Sequence, residues 1–190
     1  MTSDIHHYDD GKPLNRSETV KRQLERDAAR LFMRAYEKQH GIPIRDIWHN
    51  EPAKPDVSCH LDGQPLDLEV AHLYASSSEA KILTHHITQQ VEPDADPSSE
   101  SQELRRYLQE LTELDVRQRL QVALGNILRQ KSKKHYLSDR VWLIIRNVSP
   151  LWQSTDFLGQ VNQLLLPNHP FEQIWLLPDY EGQQPLIRLF

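Results

Sequence analysis

A chain of 190 residues with 38% hydrophobic residues can bury one core and points to a single domain. A formal charge of -5 excludes a strongly basic protein that coats nucleic acid, but not a cleft of local basic character. No apolar run approaches the roughly 20 residues that span a bilayer, and the lone Cys59 excludes an internal disulfide. Met1 to Tyr8 is polar and has no leader-like apolar stretch, so a reducing, cytoplasmic setting is expected.

Residues 1–15 read as a disordered arm, with an Asp-Asp-Gly run and Pro13. Ser17 can cap a helix that runs to about His40, where Gly41 and Pro43 stop it. Val20, Leu24, Ala28, Leu31 and Ala35 recur at helical spacing and form an apolar stripe. Glu25 borders that stripe, beside Ala28 and Phe32. Ile42 to His49 predicts a first strand.

Residues 55–72 predict a β-hairpin around Asp62-Gly63, with strands at 55–61 and 66–72. If Asp62 and Gly63 are the two central turn residues, Leu61 pairs with Gln64, Ser58 with Asp67, and Asp56 with Glu69. A four-residue loop, Asp62 to Pro65, would instead put Asp56 opposite Ala71 and keep Glu69 on the same face. Val57, Cys59, Leu61, Leu66, Leu68 and Val70 form the other face, an apolar one, so the hairpin belongs in the core. Directly opposed like charges destabilise a sheet. A face that carries Asp56, Asp67 and Glu69 therefore calls for a neutralising partner, and a hard divalent cation with oxygen ligands is the natural one.

Ser76 to Gln90 predicts a second helix, capped by Ser76–Ser78, and Val91 to Glu100 a mobile, acidic, Pro-rich loop. Residues 101–134 predict helix, broken near Leu114-Asp115, with Val116, Leu120, Leu124, Ile127 and Leu128 as its apolar face. Val141 to Ile145 and Ile174 to Leu177 are continuous apolar runs of the kind found in buried strands. Between them Thr155 to Leu166 predicts a short helix, and Leu186 to Phe190 an edge strand. The order implies an α/β fold: a mixed central sheet with helices on both faces.

That order, with Pro55-Asp56 on one hairpin strand and Glu69-Val70-Ala71 on the next, resembles the PD-(D/E)XK nuclease superfamily, the restriction-endonuclease-like fold. The core of that superfamily is a helix, a three-strand meander, a helix and a further strand. Its signature is Pro-Asp on the second strand and acid-x-Lys on the third. Here Ala71 stands in the lysine position. Asp67-Leu68-Glu69 is an alternative register, with a glutamate in the lysine position as in some members. The resemblance covers residues 17–90 and 115–147, and implies a single nuclease-like domain over 16–190.

The resemblance also implies hydrolysis of nucleic-acid phosphodiesters with Mg²⁺ or Mn²⁺. Asp56 and Glu69 would be metal ligands and catalytic residues, with the Val70 carbonyl a third ligand and Glu25 or Asp67 helping directly or through water. The missing lysine would have to come from elsewhere. Lys81 is the first choice, on the helix after the third strand, where some members place a migrated lysine; Lys54 and Lys131 are the others. Lys131, Lys133 and Lys134 lie in a basic stretch that suits phosphate contacts, or a helix C-terminus that complements its own dipole. His60 lies on the carboxylate face, where it could assist a metal or simply bond at the surface. The His85-His86 and His6-His7 pairs lack zinc-site spacing, and no Walker loop, GxGxxG or GxSxG is present.

Against cleavage stands a second expectation: a nuclease-fold protein that no longer cuts and acts as a binding or regulatory partner. In that case the 101–134 helices would supply a docking or homodimer surface.

Overall fold

Alternation along residues 57–73 decides which way the centre of the molecule faces. The computed structural model describes residues 16–50, 55–89 and 97–190. Its first helix, α1 (Arg16–His40), leads into a meander of β1 (Ile44–His49), β2 (Val57–Leu61) and β3 (Gln64–Leu73). Helices α2 (Ser77–Gln89), α3 (Pro97–Glu113) and α4 (Val116–Lys131) separate the meander from β4 (Val141–Asn147). Helix α5 (Ser154–Gln160), a 3-10 turn at Val161–Gln163, β5 (Gln173–Leu177) and β6 (Ile187–Arg188) follow. The strands form one sheet in the order β1-β2-β3-β4-β5-β6. The meander is antiparallel, β3, β4 and β5 run parallel, and β6 returns antiparallel. The expected α/β class and mixed sheet are what the chain forms.

The hairpin register follows from two residues. Asp62 (φ 49) and Gly63 (φ 75) both take positive φ, as a type I′ turn requires. Leu61 then pairs with Gln64 and Ser58 with Asp67, which is the two-residue turn and not the four-residue loop. At the outer edge β1 bulges between Arg45 and Trp48, where Asp46 sits at φ 59.

Helices cover both faces. On one, Ala29, Phe32 and Tyr36 of α1 pack on Val57, Cys59, Leu61, Leu66, Leu68 and Ile144. On the other, Leu120, Leu124 and Leu128 of α4 and Phe157 of α5 pack on Ala71, Leu73, Leu143, Ile145 and Leu176. Every residue of β4 is buried, which accounts for its unbroken apolar run. Helix α2 packs chiefly on α3, so α4 is the crossover helix that lies over β3.

Several boundaries move. Ser17 lies inside α1, not ahead of it. The α1 stripe is rotated: Ala28, Ala29, Phe32 and Tyr36 are buried, because the two aromatic rings fill the space over Trp142 and Trp175. The loop expected through Glu100 stops earlier, since α3 starts at Pro97, a residue preset for a first helical turn. Helix α5 ends at Gln160, short of Leu166, and Val116 is exposed at the start of α4. The arm at 1–15, the rest of the acidic loop and Lys54 lie outside the described residues. No helix among those described is long and apolar enough to cross a membrane.

The turn makes a direct prediction. A Cβ on Gly63 would meet no atom within 4 Å. Gly63→Ala should therefore cost only backbone strain, ~1 kcal/mol. Urea denaturation should show a lower midpoint at unchanged slope; an unchanged midpoint would contradict the role given to this turn.

Candidate functional site

Register carries Asp56, just ahead of β2, to the position opposite Glu69 in the middle of β3. The Val70 N–H donates to Asp56 Oδ2 at 2.8 Å and pins that carboxylate against the third strand. Glu69 has no exposed surface. Its Oε1 accepts from Lys131 Nζ and Lys134 Nζ, both at 2.5 Å. Lys131 Nζ also donates to the Val70 carbonyl at 2.7 Å, so a single ammonium bridges Glu69 and the next peptide. Glu69 Oε2 and the Tyr136 hydroxyl are both buried, and the hydroxyl lies beside the Glu69 carboxylate.

A buried carboxylate is costly unless paired. Burial alone would raise the Glu69 carboxyl, but Lys131 and then Lys134 outweigh it and hold the group below its ordinary value. The pairing works the other way on Lys134: burial would lower its ammonium, and Glu69 instead holds it above its ordinary value. Asp56 has no such pair. Burial, and then the Glu69 charge, push it up. Burial and then Asp56 raise Glu25, on the buried side of α1, from 4.5 to about 7, against the pull of Lys21 at 3.6 Å. Burial, then the Glu69 carboxylate, push the Tyr136 hydroxyl up as well.

Glu25 and Lys131 stand on the wall of a cleft of about 510 Å³ that Lys21, Leu24, Val70 and His72 also line. Burial, then Arg146 and Lys131, bring His72 down to about 4, so its ring is neutral at physiological pH. The cleft thus joins an apolar wall to one acid, Glu25, and to the inward-facing Lys131 ammonium.

The expected residues do not all gather here. Asp56, Glu69 and Glu25 do. Asp67 shares the face, but its Oδ1 accepts from the Ser58 hydroxyl, which in turn accepts from Asn50 Nδ2 at 2.7 Å. Lys81 does not reach the acids: α2 packs on α3, and its Nζ pairs with Glu103 there at 3.2 Å. Lys131 takes the place proposed for Lys81. Of the expected phosphate-binding lysines, Lys133 and Lys134 are exposed, although Lys134 reaches Glu69, and Lys131 turns inward to Glu69. His60 bonds to Asp46 at the outer edge of the same face.

Tyr136 and the double lysine pairing went unforeseen. A signal for Lys131 was present. It stands three residues after Leu128, so it continues the buried row Leu120, Leu124, Leu128 along α4. A lysine in line with buried leucines is a lysine aimed at the sheet.

The donors suit a hard divalent cation: two carboxylates and a backbone carbonyl, with a third carboxylate on the cleft wall, all of them oxygen ligands. The raised Asp56 and Glu25 mark repulsion among the acids that such an ion would offset. Among the described residues no group of three or more His, Cys, Asp and Glu side chains is close enough to hold a metal. The place between Glu69 Oε1 and the Val70 carbonyl is filled by the Lys131 ammonium. A cation at that place would have to displace the ammonium. No protein-family model, curated protein or solved structure matches this chain.

Glu25 gives a pH prediction. Folded, it keeps a proton that the unfolded chain has released, so stability falls as pH climbs from about 4.5 to about 7. Glu25→Gln should remove that slope and raise stability by ~1–3 kcal/mol above pH ~8. Thermal melts across pH check this; a variant no more stable than the wild type at the alkaline end would contradict it.

Proposed function

We propose that this protein hydrolyses phosphodiester bonds in nucleic acid with Mg²⁺ or Mn²⁺, and that Lys131 does the work of the lysine absent at Ala71. The observation that carries this reading is the Lys131 ammonium, set on Glu69 Oε1 and the Val70 carbonyl by a helix that approaches β3 from outside the motif. The element order supports it too: a helix, a three-strand meander, helices and a parallel strand, as in the PD-(D/E)XK superfamily.

Asp56, Glu69 and the Val70 carbonyl would hold the cation, with Glu25 beside them. When bound, the ion polarises the phosphate and acidifies a water. The chain supplies the rest. Glu25 stands on the cleft wall, where a carboxylate can accept a hydrogen bond from such a water. The Lys131 ammonium, freed from Glu69, offsets charge that builds on the phosphate. Arg22, Arg26, Arg30 and Arg34 recur every fourth residue on α1, and no ion pair engages them among the described residues. Arg30 and Arg34 line a second cleft along α1, together with Asp27, Glu37 and Glu181.

One observation favours a second reading, the non-cleaving binding protein. Lys131 and Lys134 already neutralise Glu69 without any cation. Exposed Leu104 and Leu108 on α3 and Val122 on α4 would then be the surface for a partner or a second copy.

Cleavage assays on mixed DNA and RNA substrates with Mn²⁺, paired with calorimetry, separate the two. Glu69→Gln and Lys131→Met should each lose activity by ~10²-fold or more, and Lys81→Ala should keep it. Lys131→Met should bind Mn²⁺ at least as tightly as the wild type, because no ammonium competes for the site. A wild type that neither binds Mn²⁺ nor cuts any substrate would contradict the nuclease reading and favour the second.

A further inference from the structure

Trp48 breaks the pattern set by the other tryptophans. Trp142, Trp152 and Trp175 are each 3% exposed or less, whereas Trp48 is 42% exposed on the edge strand β1. It is not an isolated surface ring. Its centroid lies 5.4 Å from that of His60 on β2, and Asp46 Oδ2 holds His60 Nδ1 at 3.2 Å. The β1 bulge, with Asp46 at φ 59, brings this acid and this indole to the same side as His60. Bulges beside functional sites commonly re-aim a side chain in this way.

That side is the face of the acid site. Trp48 pairs with Ser58 and Ser58 with Asp67, two positions before Glu69 on β3. Strands lie ~4.8 Å apart, so the indole stands ~10 Å across the sheet from the β3 carboxylates. The α4 core stops at β3, and the helix packed on β1 and β2 is α1, on the opposite face. Among the described residues the result is an open shelf with a two-ring aromatic surface next to the catalytic acids.

We infer that Trp48 and His60 form a stacking platform for a base of single-stranded nucleic acid next to the scissile phosphate. The inference rests on the nuclease reading and adds the substrate class. A duplex keeps its bases stacked on one another, out of reach of a flat sheet face. An unpaired base offers a free π-face, and stacking on an aromatic tolerates any sequence. His60, held by Asp46, braces the indole from one side. The platform selects unpaired strands, DNA or RNA, over duplex.

The test is fluorescence-anisotropy binding with Mn²⁺, using phosphorothioate-backbone oligothymidylate, oligouridylate and a blunt DNA duplex, all of which resist cleavage. The wild type should favour the single strands. Trp48→Ala should weaken single-strand binding about tenfold, Trp48→Phe should restore most of it, and duplex binding should not change. The two single strands report whether DNA or RNA is preferred. Single-strand binding unchanged in Trp48→Ala, with cleavage activity intact, would overturn the platform and leave the nuclease reading standing. A wild type that binds none of the three and cuts nothing would overturn both. Sedimentation that shows a dimer lost in Trp48→Ala, with oligonucleotide binding unchanged, would assign the shelf to a second copy and also overturn the inference.

Discussion

The Glu69 carboxylate has no contact with solvent, and its neutralisation is the constraint on which the structure turns. A lone charge in the interior would cost several kcal/mol even after relaxation. Two separate parts of the chain meet the cost. The Asp62-Gly63 turn fixes the register that places Glu69 opposite Asp56 on one face. Helix α4, seated by Leu120, Leu124 and Leu128, then delivers Lys131 to that face, and the segment beyond it adds Lys134.

The neutralisation is uneven, and this gives the site chemical potential. Both lysines bond directly to Glu69 and hold it low, while burial, then Glu69 for Asp56 and Asp56 for Glu25, outweigh the more distant lysines and push those two acids up. The result is one firmly ionised carboxylate, two that hold protons more readily than usual, and an ammonium on a long flexible stem. A structural salt bridge would need only the first and the last. The surplus acids, Asp56 beside Glu69 and Glu25 on the cleft wall, distinguish this arrangement from simple core pairing and support the hydrolytic reading.

The hairpin was legible in the sequence because its determinants are local. Two adjacent turn residues and a strict alternation specify register, core face and the facing acids without reference to the rest of the chain. The apolar runs of β4 and β5 were legible for the same reason. The source of the site's lysine was not. Lys81 follows β3 closely in the chain, but its helix is drawn onto α3, and the crossover over β3 falls to α4, far along the sequence. Only tertiary packing decides which of three consecutive helices lies on the sheet. The leucine row that ends in Lys131 carried the information. Chain proximity alone ranks Lys81 ahead of Lys131, which stands among the alternatives. Trp48 was hidden differently: it looks like any strand residue until β1 proves to be an edge and its bulge is in view.

If Asp56, Glu69 and the Val70 carbonyl form a cation site for which Lys131 acts as counter-ion in the metal-free state, the two must exchange. Anomalous diffraction from Mn²⁺-soaked crystals tests this most directly. The account predicts a manganese peak among Asp56, Glu69 and the Val70 carbonyl, with the Lys131 ammonium displaced from Glu69. No peak there, with Lys131 still bonded to Glu69 Oε1, would contradict it.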